Sequence, residues 1–344
     1  MSLLIQARVI PKEYIIMESK NLKSCLIRAV SAVSLAALIS NAACAETKIA
    51  SPGQVSSSLW PTTLSLPTGQ RPEGIAIKGT QAFVTSYVDG TIFRFDLRTG
   101  QRTVLTKGSG QGAIGILLDN NGRLFIAGGM GGDLRVIDSN TGNVLKKYRL
   151  AKDLRKTAVN DLTILNGNLY VTDSFAPVIY KVPLPSDGQL PDQRDIKIIP
   201  LDGVKYAGEG DQGWNANGIT PTPDGKALLL VQTNTGILYR VDPENGKSTP
   251  VDIQGADLSW SDGMRLEGQT LYVVRNTSNK LIVLHINQDG SKGKLLSETA
   301  DPRFDTPTTL ARFGERLYLT NARFYSKDPK NTEYVITAIP DPEI

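Results

Sequence analysis

One unit recurs six times between residue 73 and the end of this 344-residue chain, and that repeat restricts the fold more than any other feature. The copies open at Glu73-Gly74-Ile75, Ile114-Gly115-Ile116, Asn160-Asp161-Leu162, Asn217-Gly218-Ile219, Asp262-Gly263-Met264 and Thr308-Thr309-Leu310, at intervals of 41, 46, 57, 45 and 46 residues. A short apolar strand follows each opener, then a turn, then a second apolar strand such as Leu169-Tyr170-Val171-Thr172 or Leu317-Tyr318-Leu319-Thr320, and usually a third. Asn121-Gly122, Asn166-Gly167 and Asp224-Gly225 place glycine where a tight hairpin needs positive φ. Short antiparallel strands at this period, with no sustained helical periodicity between them, predict an all-β fold: a six-bladed β-propeller of four-stranded blades. A β-sandwich gives no reason for the same polar-Gly-apolar start to recur. Residues 61–66 form a strand ahead of the first copy, and residues 334–339 form the last strand. Pairing of these two ends in the last blade closes the ring and leaves no long free edge.

The region ahead of the repeats has another character. Lys20, Lys23 and Arg28 precede the apolar run Ala29 to Ile39, and the segment ends in Ala43-Cys44-Ala45. This is the pattern of a secretory signal peptide over residues 1–45, with Met17 as an alternative start. The run is roughly half the ~20 residues of a membrane-spanning helix. Its removal leaves a single domain, residues 46–344, with 33 basic against 32 acidic residues and neither of the cysteines, Cys25 and Cys44. A near-neutral chain without a basic stripe argues against nucleic acid or a lipid surface as partner. The expectation is a secreted or periplasmic monomer, free of the membrane after signal removal, acting on a small molecule.

In a propeller the first strand of each blade lines the central channel, so the six openers are neighbours in a ring. They read Glu73, Ile114, Asn160, Asn217, Asp262 and Thr308. Glu73, Asn160, Asn217 and Asp262 supply four oxygen donors, with no imidazole or thiolate among them. The chain's single histidine, His285, falls in an outer strand and reads as structural. Such a donor set suits a hard divalent cation, Ca²⁺ above all, with water completing the shell. Two carboxylates this close would repel without one.

These residues resemble the regucalcin (senescence marker protein)/gluconolactonase family of six-bladed propellers, related to the paraoxonases and diisopropylfluorophosphatase. The resemblance spans the repeat region and is sharpest at Glu73-Gly74, Asn160-Asp161, Asn217-Gly218-Ile219 and Asp262-Gly263-Met264. It implies that Glu73, Asn160, Asn217 and Asp262 hold the cation, that Asp161 reaches the same shell, and that the activity is hydrolysis of lactones or related esters. The cation would polarise the carbonyl while a carboxylate, Asp262 before Asp161, activates water. The paraoxonase histidines and a sugar-acid arginine have no counterpart. Within the longest interval, Tyr206 and Trp214 are expected to wall a substrate pocket as part of a flap. Gly128-Gly129-Met130-Gly131-Gly132 reads as a hairpin turn, since no helix follows it. The alternative is a non-catalytic propeller of the NHL-repeat sort, binding a partner, with a structural ion in its channel.

Overall fold

The computed structural model describes residues 60–208 and 213–342. The expected signal peptide lies outside the described residues. Counting the short strand β1 (Thr63–Ser65), the strands form six four-stranded antiparallel sheets. Blade one is β2 (Pro72–Lys78), β3 (Gln81–Ser86), β4 (Ile92–Asp96) and β5 (Arg102–Thr106). Blade two is β6 (Ile116–Leu118), β7 (Arg123–Ala127), β8 (Asp133–Asp138) and β9 (Val144–Arg149). Blade three is β10 (Val159–Leu165), β11 (Asn168–Asp173), β12 (Val178–Pro183) and β13 (Lys197–Pro200). Blade four is β14 (Ala216–Pro221), β15 (Leu228–Gln232), β16 (Ile237–Val241) and β17 (Ser248–Pro250). Blade five is β18 (Ser261–Glu267), β19 (Thr270–Arg275), β20 (Lys280–Ile286) and β21 (Gly293–Ala300). Blade six is β22 (Pro307–Phe313), β23 (Arg316–Asn321), β24 (Val335–Pro340) and, on its outer edge, β1. The ends of the domain therefore pair as expected, Thr63 opposite Thr337 and Ser65 opposite Val335. The glycine-rich run 128–132 is the connection between β7 and β8. Among the described residues no helix is long and apolar enough to cross a membrane.

Burial explains the strand sequences. The second strand of each blade is covered on both faces by neighbouring blades, so β7 and β15 are buried at every position and four of the five residues in each are apolar. The outer strands β5 and β21 are largely exposed and carry charged or polar residues. The core lies between blades: Leu165, Tyr170 and Ile179 of blade three pack against Ile219, Leu228 and Leu230 of blade four. Each such side chain, fully buried, contributes about 1.5–3 kcal/mol relative to exposure.

The openers occupy a repeated irregularity. In β2, β10, β14, β18 and β22 the pairing register shifts at the opener and its successor: between Pro72 and Ile75, Val159 and Leu162, Ala216 and Ile219, Ser261 and Met264, and Pro307 and Leu310. A bulge re-aims a side chain out of the strand's alternation, and here it turns Glu73, Asn160, Asn217 and Asp262 toward the axis. It also brings adjacent inner strands close together. A Cβ on Gly74 would lie 2.5 Å from the Ile114 carbonyl oxygen, and one on Gly218 2.4 Å from that of Asp262, so the second residue of these openers has no room for a side chain.

Bulging frees backbone groups, and buried threonines in the second strands satisfy them. Thr172 Oγ1 accepts from the Asp161 N–H (3.0 Å) and donates to the Asn217 carbonyl of the next blade (2.9 Å). Thr85 does the same between Gly74 and Ile114, and Thr320 between Thr309 and Glu73. These hydroxyls staple blade one to two, three to four and six to one. Thr172→Val, nearly isosteric, leaves a buried donor and acceptor unpaired and is expected to destabilise the domain by about 1–3 kcal/mol in urea unfolding. An unchanged midpoint would contradict the staple.

Candidate metal centre

The bulges bring Glu73, Asn160, Asp161, Asn217 and Asp262 to the rim of one small cavity on the axis, together with Thr309. Its volume is about 20 Å³, enough for a single water-sized sphere or a monatomic ion. Of the six openers, Thr308 turns aside: it is fully buried and donates to the Glu73 carbonyl (2.7 Å), and its neighbour Thr309 takes the place on the rim. Ile114 faces a wider cavity above.

The amides show which atoms point inward. Asn160 Nδ2 donates to Ser174 Oγ (2.9 Å) and Asn217 Nδ2 to Thr233 Oγ1 (3.1 Å), so both NH₂ groups are held by the blades. Asn217 Oδ1 is buried and has no hydrogen-bond partner among the described residues. An orphaned buried carbonyl is costly unless another group meets it. Asp262 Oδ2 accepts from Asn276 Nδ2 (3.1 Å), and Asp161 accepts from the Leu162 N–H (2.8 Å) and, more weakly, from the Ile219 N–H (3.4 Å).

Three carboxyl groups thus meet with little to neutralise them. Burial pushes Glu73 well above the ordinary carboxylate range, reinforced by the charges of Asp262 and Asp161. Burial likewise raises Asp161 to about 7, against its two backbone hydrogen bonds. Asp262 is raised to about 7 by burial, with the Asn276 hydrogen bond opposing and the Asp161 charge adding. A small oxygen-lined cavity, an orphaned carbonyl and mutually repelling carboxyls fit a bound divalent cation. Among the described residues no three His, Cys, Asp or Glu side chains make a metal site by themselves; this ring depends on its amides.

Above the ring opens a cavity of about 340 Å³ that shares Glu73, Asn160, Asn217 and Asp262 as its floor. Arg71, Tyr87, Trp214, Trp260, Phe324 and Tyr325 wall it. Trp214 stands where expected, its ring centroid 4.9 Å from that of Phe175. Tyr206 does not: its hydroxyl donates to the Asp173 carbonyl (2.6 Å), and the ring packs on the core between blades three and four. It anchors the long connection and lies outside the cavity wall. His285 sits in β20, the third strand of blade five, far in sequence pattern from the inner strands, but is exposed and not packed on the apolar face. Sequence reasoning missed Asn276, whose Asn-Thr-Ser context reads as a glycosylation acceptor. In the structure it is buried and engaged with Asp262, unsuited to carry a glycan.

No protein-family model matches the chain, and no curated protein matches it in sequence. Solved structures do. The major allergen Mala s 1 of Malassezia sympodialis superposes with a TM-score of 0.64 at 16% identity, covering 82% of this chain and 97% of that one. The calcium-binding protein regucalcin from Agrobacterium tumefaciens gives 0.58 at 19% identity, over 80% and 92%. A luciferin-regenerating enzyme gives 0.57 at 16%, over 81% and 95%. At these identities the likeness is one of architecture: the chain shares the regucalcin-type six-bladed propeller fold.

Proposed function

We propose that the protein is a divalent-cation-dependent hydrolase of lactones or related esters, exported by way of residues 1–45. The observation that carries this reading is the orphaned Asn217 Oδ1 beside three repelling carboxyls, all on the floor of a roomy, aromatic-walled cavity. Glu73, Asn160, Asn217 and Asp262 would hold the cation, and the calcium-binding description of regucalcin supports Ca²⁺. When bound, such an ion supplies Lewis-acid polarisation of a carbonyl oxygen.

The chain's own residues do the rest. Asn276 Nδ2 fixes Asp262 Oδ2, which leaves Oδ1 to take the proton of a water that adds to the acyl carbon. The acyl C–O bond then breaks, the proton passes to the alkoxide, and a hydroxy acid leaves. Asp161 is the second acceptor, held toward the ring by the Leu162 N–H. Trp214 and Trp260 shield the floor from bulk water, which strengthens each of these interactions.

Metal analysis joined to a panel of γ- and δ-lactones and aryl esters tests the reading. Turnover is expected to fall to background with EDTA and return with CaCl₂. Activity indifferent to chelator would sink it, while cation uptake with no turnover of any substrate would favour a non-catalytic propeller.

A further inference from the structure

Arg71 is the cation among the residues lining the wide cavity, and the ring chemistry does not use it. It lies just ahead of β2 and two residues before Glu73, about 7 Å along an extended chain. Its guanidinium carbon is 5.2 Å from the Phe324 ring centroid and 5.9 Å from those of Tyr87 and Tyr334. Three rings hold the group by attraction between charge and π-face, yet a π-face offers no acceptor to N–H donors in the guanidinium plane. Arg71 Nε is buried without a hydrogen-bond partner, and among the described residues no carboxylate forms an ion pair with it. A fork of donors fixed this way, in a low-dielectric wall, matches a planar anion.

Another part of the wall has a different chemistry. Trp260 adopts φ of +58°, a region bulky residues avoid, and is held there by its N–H to the Thr233 carbonyl (2.7 Å) and its carbonyl to the Asn276 N–H (2.9 Å). That strained backbone immediately precedes the Ser261-Asp262 bulge and helps place the indole in the cavity wall that Trp214 also lines. The cavity therefore carries one positive fork, an indole wall and an acidic floor. On the wall of this cavity an anionic ligand meets one positive group, the Arg71 fork.

We propose that Arg71 is the anion-recognising residue of this cavity, and that the substrate is a lactone or ester bearing a free carboxylate, its apolar body against Trp214 and Trp260. The proposal rests on the wide cavity being the substrate chamber and goes further by naming the substrate class. Phenylacetate and phenylacetamide, alike in shape and different in charge, test it by titration calorimetry with the full chain, in Ca²⁺ and in EDTA. Phenylacetate is expected to bind at least tenfold more tightly than the amide in both conditions. Arg71→Met, which keeps an unbranched stem among the rings, is expected to remove the preference; Arg71→Lys, which keeps the charge without the fork, should retain part of it, and melting curves confirm that both fold. Equal affinity for the two probes, or a preference that survives in Arg71→Met, overturns the proposal. A preference lost in EDTA but kept in Arg71→Met places the carboxylate on the cation and also overturns it, leaving the hydrolase reading intact. An Arg71-dependent preference in a protein that turns over no lactone or ester upholds Arg71 as the anion-recognising residue and overturns both the substrate class and the hydrolase reading.

Discussion

Glu73→Gln is expected to weaken Ca²⁺ binding at least 100-fold, reduce lactone turnover to background, and raise the melting temperature of the chelated protein. The first two follow from removing one of two carboxylate donors; the residues behind metal ligands alone are worth 10–100-fold in affinity, and a ligand is worth more. The third separates a metal site from an ordinary buried acid. Glu73 is 6% exposed and faces Asp262 and Asp161, so in the chelated protein its charge costs stability, first through burial and then through those neighbours. Glutamine keeps the shape and removes the charge. Calorimetric titration with CaCl₂ and melting curves with and without EDTA measure all three. A variant that binds Ca²⁺ normally, or loses stability in EDTA, would show that Glu73 is a structural carboxylate.

The second large effect is on pH. In the metal-free protein Asp161 and Asp262 are raised to about 7 and Glu73 well above its usual value. The folded state then binds more protons than the unfolded chain between about pH 4 and pH 7, so its stability falls as pH rises through that window. It is fully present below the unfolded carboxylate values and lost as pH passes the folded ones. For Asp161 alone the loss is up to roughly 4 kcal/mol, at 1.36 kcal/mol per pH unit. A bound dication reverses the preference by favouring the ionised groups. Melting temperatures are therefore expected to drop between pH 5 and 8 in EDTA and to stay level or rise in saturating Ca²⁺. Ca²⁺ affinity should increase over the same range, with protons released on binding, as calorimetry in buffers of different ionisation enthalpy will count. Parallel melting profiles in EDTA and Ca²⁺ would remove the carboxyl ring from the binding site.

What the amino-acid sequence reveals of this site depends on how local each cause is. The openers were legible because a six-fold repeat puts Glu73, Asn160, Asn217 and Asp262 at one structural position, and closure followed from strands at both ends of the repeat array. Asn276 was hidden, since its role comes from a hairpin that folds β19 back beside Asp262, fourteen residues away. Phe324 and Tyr325 come from the connection after β23 and join the cavity wall, Phe324 against Arg71, only when the ring closes. Tyr206 was misassigned for a related reason. A polar, glycine-rich stretch suggests a mobile flap, but the tyrosine just before it finds a buried carbonyl at Asp173 and pins that end. Thr308 carries an opener's position without its direction, because a hydroxyl on so short a side chain is captured by the adjacent Glu73 carbonyl.

The outer edge of blade six sets a timetable for synthesis. Its strand β1 comes from the start of the described domain and its partner β24 from the end, separated by some 270 residues of intervening chain. Blades one to five are contiguous in sequence and can form as each leaves the ribosome. Blade six cannot, and Thr320 and Thr308, which tether the inner edge of blade one through the Glu73 carbonyl, arrive with it. The same carbonyl belongs to a residue that lines the small axial cavity. A nascent chain that stops short of β23 therefore lacks the Thr320 tether, and the oxygen-lined cavity gains its full frame only once blade six is complete.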